Sequence, residues 1–189
     1  MASSNPEIIL KKLDQQLNDR IELTLIGRAA LILGYEPPIV GADASQTFDV
    51  DLVVPSDQEQ ALDQNEQFWI GLERTNQLLA TSGLYLTHIF LETQIILGNG
   101  WKTRRVPVAL LGADKLILFR PSGMDLLLSK MARAEDPADR SDIVKLVERE
   151  GFSLQKIEAA FATARCPQEP DLLEQFEKAK TFVRSLFES

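Results

Sequence analysis

Two aspartates separated by one valine, Asp49-Val50-Asp51, interrupt an apolar stretch at residues 47–54 that otherwise predicts a buried β-strand. Residues two apart on a strand point to the same side, about 6.6 Å apart at a rise of about 3.3 Å per residue. The two carboxylates therefore face together, and Val50 faces the other way. Two like charges beside a core repel each other and resist the loss of water. Either this face is open to water, or a positive group lies on it.

The chain before this strand has a second informative pattern. Residues 22–26 predict a short buried strand, Gly27 breaks it, and residues 28–33 have the composition of a short helix that ends at Gly34. An irregular loop at residues 35–46 then leads into the acidic strand. A glycine at a tight turn lets the backbone come close to a polyphosphate. Mg²⁺ binds one or two carboxylates together with phosphate oxygens, so the unit is typical of a metal and phosphate site.

The remaining pattern predicts an α+β fold. Helices are predicted up to about residue 19 and at 58–80, strands at 84–91, 104–111 and 115–119, and further helices at 122–135, 138–150, 153–165 and 169–187. The composition changes from strand-like to helical near Arg120. This change suggests a core at residues 1–120 and a C-terminal helical region at 121–189. Because no linker is long enough to make the parts independent, a single domain is the alternative.

Composition limits the class of function. The 189 residues carry a net charge of −8, with an isoelectric point near 4.8, which argues against a protein that binds duplex nucleic acid over its whole surface. A single cysteine, Cys166, excludes an internal disulfide, and a single histidine, His88, excludes a multi-histidine metal site. No apolar run of membrane-spanning length and no signal peptide is visible. We therefore expect a cytoplasmic protein that has no membrane partner.

A second group of charged residues lies in the segment PSGMDLLLSKMARAEDPADRSDIVKL, which begins at residue 121. Lys130 and Arg133 are three residues apart and share one helix face, and Asp139 and Asp142 do the same on the next helix. These four residues have two interpretations. They belong to a functional site, or they form a salt-bridge network between helices, in which exposed pairs are worth only about 0–1 kcal/mol.

Taken in order, these features resemble the nucleotidyltransferase-like superfamily. Its signature is a hydrophobic strand, a glycine followed by glycine or serine, a spacer, and Asp-x-Asp in a second strand. The segment from residue 121 looks like the region that follows the catalytic sheet in the DUF6036 and AbiEii-like branch. The resemblance covers about residues 20–150. The chain departs from the signature at Arg28, where the second small residue is expected.

The resemblance implies a mixed β-sheet flanked by helices and followed by a C-terminal helical region. It also implies Mg²⁺-dependent transfer of a nucleotidyl group from a nucleoside triphosphate to an acceptor, which is an RNA, a protein or a small molecule. Carried over residue by residue, Asp49 and Asp51 would bind the metal, the Gly27 turn would hold phosphates, and Lys130 would approach the triphosphate. Asp142 is a weaker candidate.

Two residues leave the activity open. Arg28 either pairs with an acid of the strand or binds a phosphate in place of the missing small residue. Active nucleotidyltransferases often carry a third carboxylate on a neighbouring strand, and the nearest candidate is Glu92, at the end of the predicted strand 84–91. A catalytically degenerate binding or regulatory module is therefore one alternative. A toxin–antitoxin type partner protein, or a homo-oligomer, that uses the apolar helix at 169–187 is another.

Other reactive side chains receive a structural interpretation. Strand 84–91 alternates apolar and polar residues only loosely, which suits a strand covered on both faces, so at His88 a hydrogen-bonded structural histidine is favoured over a catalytic one. No residue near Cys166 would activate its thiol. The only dense basic cluster consists of Lys102, Arg104 and Arg105. This cluster is either the solvated start of a strand or a patch that steers a polyphosphate or an RNA end towards the acidic pocket.

Overall fold

The computed structural model describes residues 3–40 and 47–188, so the end of the predicted loop at 35–46 lies outside the described residues. The chain divides into two compact units. The first contains residues up to 91 and residues 106–120, and the second contains residues 92–105 and the chain from 121 onwards. The chain passes from the first unit into the second after Leu91 and returns to the first unit at Val106. It enters the second unit again after Arg120, where the composition changes.

The elements follow each other in mixed order. They are α1 (Asn5–Gln16), β1 (Ile21–Ile26), α2 (Gly27–Leu33), β2 (Asp49–Val54), α3 (Ser56–Asp63), α4 (Glu66–Leu79), β3 (Tyr85–Leu91), β4 (Leu97–Gly98), β5 (Val106–Val108), β6 (Leu116–Arg120), α5 (Gly123–Met131), α6 (Pro137–Glu150), α7 (Leu154–Thr163), β7 (Ala164–Arg165) and α8 (Pro170–Ser185). Short 3-10 turns occupy Ala80–Ser82, Glu92–Gln94 and Trp101–Arg104.

A five-stranded mixed sheet forms the centre of the first unit. Its strand order is β3-β2-β1-β6-β5. β1 runs antiparallel to β2 and parallel to β6, while β3 runs parallel to β2 and β5 antiparallel to β6. Leu25, Val50 and Leu52 are completely buried in this sheet. The arrangement confirms the α+β prediction of a mixed sheet flanked by helices.

One carboxylate of helix α1 binds the backbone at the start of β6. The Ser4 side chain caps the helix, and three apolar residues on its inner face, Ile9, Leu10 and Leu13, are completely buried. The next residue, Asp14, is also buried, and its two oxygens accept hydrogen bonds from the backbone N–H groups of residues 114–116 at 2.8–3.2 Å. A charged acceptor therefore satisfies three donors at the edge of the core.

Replacing Asp14 with asparagine is expected to lower the free energy of unfolding of the first unit by about 2 kcal/mol, because three N–H donors lose an ionised acceptor. Urea unfolding at neutral pH can be followed through Trp69, which lies in the first unit, in a Trp101→Phe background that removes the other tryptophan. A loss of well under 1 kcal/mol would show that solvent replaces the carboxylate without cost.

The same contact predicts a pH dependence. Burial raises the pKa of Asp14, but the three backbone hydrogen bonds outweigh it and hold the pKa below its ordinary value. A carboxylate with a depressed folded-state pKa adds stability above its unfolded pKa, about 3.9, and loses this contribution as the pH falls through the folded pKa. The difference between wild type and Asp14→Asn should therefore shrink in acid. A difference that stays constant below about pH 4 would contradict this assignment.

Two predictions about the first unit were wrong in detail. The helix predicted at 58–80 is two helices, α3 and α4, because Asn65 starts a new helix by accepting a hydrogen bond from the N–H of Phe68 at 3.0 Å. The strand at 84–91 is not covered on both faces. It forms β3 at the edge of the sheet, where Leu86 is the only fully buried residue among the seven.

The second unit is mainly helical, as predicted for the C-terminal region. Helices α5 to α8 surround an apolar core whose completely buried members include Ile96, Leu127, Leu128, Met131, Ile143, Ile157 and Val183. A two-stranded sheet of β4 and β7 lies beside them, and the sequence did not predict it. The strand predicted at 104–111 is shortened to β5, since Arg104 belongs to a 3-10 turn. No helix within the described residues is long and apolar enough to cross a membrane.

Candidate functional site

Pairing of β1 with β2 places the acidic pair next to the glycine turn. Ile26, the last residue of β1, lies opposite Asp51 in the antiparallel register. The next residue, Gly27, has a φ of +61°, which is strained for any residue with a side chain. A Cβ atom on Gly27 would lie 3.5 Å from the Oδ2 atom of Asp51. The carboxylate of Asp51 therefore lies against the bare α-carbon of the turn.

The two aspartates share an environment that disfavours their charges. Val50 and Leu52 are completely buried, whereas Asp49 and Asp51 are half-buried. Burial raises the pKa of the Asp51 carboxyl, and the negative charge of Asp49 raises it further. Hydrogen bonds from the neighbouring strand act in the opposite direction. A cation on this face would therefore be bound by carboxylates whose mutual repulsion it relieves.

A β-bulge on the neighbouring strand directs two polar side chains at Asp51. Val50 pairs with Leu86 and Asp51 pairs with His88, so Thr87 is the extra residue between them. The hydroxyl of Thr87 donates to the Oδ1 atom of Asp51 at 3.0 Å, and the Nδ1 atom of His88 lies 3.2 Å from the same oxygen. Oδ1 is therefore held by β3, while Oδ2 faces Gly27.

The position of His88 corrects the sequence-based interpretation. Its strand was predicted to be covered on both faces, but the His88 side chain is 62% exposed, and its hydrogen-bonding partner is a carboxylate of the acidic pair. The reason is that β3 is an edge strand, and the bulge at Thr87 places two consecutive side chains beside Asp51. The adjacent polar residues Thr87 and His88, in the middle of an apolar run, are the signal that the sequence offered.

Lys130 lies in the second unit within a buried ionic cluster. Its Nζ atom is 2.7 Å from an oxygen of Asp139 and 2.8 Å from an oxygen of Asp142. Lys130 is 5% exposed and Asp142 is completely buried. The Nε atom of Arg133, whose side chain is exposed, lies 3.4 Å from the Oδ2 atom of Asp139. The network between helices is therefore present, but it is buried rather than exposed, and a role for Lys130 at a triphosphate stays a prediction.

The remaining charged candidates occupy other positions. Arg28 is half-buried in the first turn of α2. Glu92 belongs to the second unit, where it accepts a hydrogen bond from the Trp101 indole at 2.7 Å and lies 3.7 Å from Arg165. From the basic cluster, Arg104 donates two hydrogen bonds to the buried carboxylate of Asp125. Arg104 therefore has a structural role in the second unit.

The thiol of Cys166 is half-buried, and this burial raises its pKa. A raised pKa lowers the thiolate fraction, so the structure agrees with the prediction of an unactivated cysteine.

The acidic pair could hold a cation whose remaining ligands come from a bound molecule. Across residues 3–40 and 47–188, no three histidine, cysteine, aspartate or glutamate side chains form a group that could hold a metal by themselves. Asp49 and Asp51 nevertheless offer hard oxygen ligands on one face beside a turn without a side chain. This donor set suits Mg²⁺ or Mn²⁺, which accept a few carboxylates together with phosphate oxygens.

Comparison with known proteins identifies a family. The model of the DUF6036 family, described as a nucleotidyltransferase of unknown function, matches residues 8–180. No curated protein and no solved structure gives a significant match. The matched segment covers both units, including the glycine turn, the acidic strand and the helices around Lys130. The chain therefore belongs to the DUF6036 family of nucleotidyltransferases of unknown function.

Proposed function

We propose that the first unit transfers a nucleotidyl group from a nucleoside triphosphate to an acceptor, with a divalent cation, Mg²⁺, held by Asp49 and Asp51. The observation that carries this proposal is the pair of half-buried carboxylates beside the Gly27 turn. Family membership supports the reaction class. The ordered motifs of the sequence further favour the AbiEii-like branch.

Each residue has a distinct task in this proposal. The carboxylates of Asp49 and Asp51 bind the cation, and the turn at Gly27 lets the backbone lie close to the phosphates. When bound, the cation neutralises charge on the phosphate oxygens and lowers the pKa of the attacking hydroxyl. Thr87 holds the Oδ1 atom of Asp51, so that the carboxylate keeps its orientation.

The reaction can be tested without knowing the acceptor. The full chain is incubated with Mg²⁺, a mixture of the four nucleoside triphosphates, cellular RNA and a small-molecule extract. Mass spectrometry then detects nucleotidylated RNA, protein or metabolite, and an enzymatic assay detects released pyrophosphate. Products that depend on the metal support transfer. Triphosphate binding without product identifies a degenerate binding module, and the absence of both favours the partner-protein alternative.

Gly27→Ala provides a second test of the site. A left-handed φ costs a residue with a side chain about 1–2 kcal/mol, so we expect the first unit to lose about that much stability. We also expect triphosphate binding to weaken, because the new methyl group points at Asp51.

The matched control is Gly83→Ala. Gly83 has a φ of +65°, and an added Cβ would meet nothing within 4 Å. Both variants should lose similar free energy of unfolding in urea titrations. Calorimetry with triphosphate and Mg²⁺ should show weaker binding for Gly27→Ala alone. Equal triphosphate binding by both variants would show that the Gly27 turn takes no part in the site.

A further inference from the structure

The imidazole of His88 is held in one orientation while one of its nitrogens faces solvent. Nδ1 lies 3.2 Å from Oδ1 of Asp51 and 3.0 Å from the hydroxyl of Thr87. The ring stacks on Phe90 with centroids 5.3 Å apart and planes 19° apart. Among the described residues, none forms a hydrogen bond with Nε2, and the side chain is 62% exposed. The ring is therefore fixed on one side and accessible on the other.

The partner of Nδ1 determines which nitrogen can act as a base. An ionised carboxylate only accepts hydrogen bonds, so the contact with Asp51 favours the tautomer that carries its proton on Nδ1. The lone pair of Nε2 then points away from Asp51 and towards solvent. A histidine that a carboxylate orients in this way, with its second ring nitrogen accessible, is suited to general-base catalysis.

We propose that His88 is the general base that removes the proton from the acceptor hydroxyl group. This inference rests on the proposed function. The acceptor O–H bond breaks and its proton moves to Nε2, while the oxygen forms a bond to the α-phosphorus of the triphosphate. The bond from the α-phosphorus to the bridging oxygen breaks, and its electron pair leaves on pyrophosphate. The proton on Nε2 is then released to water.

Because His88 is the only histidine in the chain, its reaction with diethyl pyrocarbonate can be measured by absorbance without interference from a second imidazole. The probe is a mixture of the four α,β-methylene nucleoside triphosphates with Mg²⁺. At a concentration ten times the dissociation constant, a ligand that covers the ring should slow carbethoxylation about 10-fold. His88→Asn supplies the baseline, since it contains no imidazole.

His88→Asn also separates orientation from proton transfer. The asparagine amide can still donate to Asp51 in the place of Nδ1, but it has no equivalent of Nε2. We expect the rate of pyrophosphate release to fall about 10²–10⁴-fold, while calorimetry shows an unchanged dissociation constant for the triphosphate. A residue that merely supports the fold would change binding and stability as well.

The possible outcomes distinguish this inference from the proposed function. Protection of His88 by bound triphosphate, together with slow release by His88→Asn, supports the base. Triphosphate binding and pyrophosphate release by the wild type would support the transfer function. If the imidazole is then unprotected, or if His88→Asn releases pyrophosphate as fast as wild type, the assignment of His88 as the general base is wrong. If the wild type binds no triphosphate or releases no pyrophosphate, the transfer function fails and this inference fails with it.

Discussion

Asp51→Asn is expected to reduce nucleotidyl transfer by more than about 100-fold, since losing an outer partner of a metal site alone costs about 10–100-fold. The amide keeps an oxygen that can accept from Thr87 and His88, so the contacts with β3 survive. What disappears is the negative charge that, with Asp49, would bind the cation. Pyrophosphate release and labelling of the acceptor measure the effect directly.

The same substitution is expected to leave the first unit as stable as wild type or more stable. Burial and the charge of Asp49 raise the pKa of Asp51, which means that ionising this carboxyl in the folded state costs stability at neutral pH. Asparagine removes that cost. Loss of activity combined with a maintained or raised unfolding midpoint is typical of a functional site whose charged groups destabilise the folded state.

Asp19→Asn is the matched control, because it removes one negative charge at an exposed position between α1 and β1. It should change neither transfer nor stability measurably. Equal nucleotidyl transfer by wild type and Asp51→Asn would contradict the assignment of Asp51 as a metal ligand. A large loss of stability in Asp51→Asn would instead mean that the carboxylate serves the fold.

Lys130→Met is expected to lower the free energy of unfolding of the second unit by about 3–5 kcal/mol, because it leaves buried carboxylates without their cation. Asp142 is completely buried and Asp139 is 15% exposed, so water cannot fully replace the lost ammonium. Urea unfolding can be followed through the buried Trp101 in a Trp69→Phe background.

Two controls define the physical origin of that loss. Lys178→Met removes a lysine that pairs with Glu135 and Glu174 at the surface, where the lysine is 55% exposed, and should leave the stability of the second unit unchanged. Combining Lys130→Met with Asp139→Asn and Asp142→Asn removes the unpaired charges and should recover most of the stability. A small loss in Lys130→Met alone would show that the cluster is solvated.

Lys130→Met also tests the predicted role of the lysine at the triphosphate. In the structure its ammonium is bonded to two carboxylates of its own unit. If the folded variant binds triphosphate with wild-type affinity, the role is withdrawn. Weaker binding by a variant that remains folded would support it.

Local sequence determined the parts of the site that depend on one strand or one turn. A period of two along β2 is enough to place Asp49 and Asp51 on the same side, and a glycine between a strand and a helix is enough to predict the turn at Gly27. Capping residues and prolines likewise predicted the helices of the second unit to within a few residues.

Only the tertiary structure decided which side chains meet from distant parts of the chain. Strand 84–91 forms the sheet edge because of its pairing with β2, and one extra residue in that pairing brings His88 to Asp51. Burial of Lys130 likewise depends on the packing of α5 against α6. Periodicity fixes the direction of a side chain relative to its own backbone, whereas register and burial depend on neighbours that no local pattern specifies.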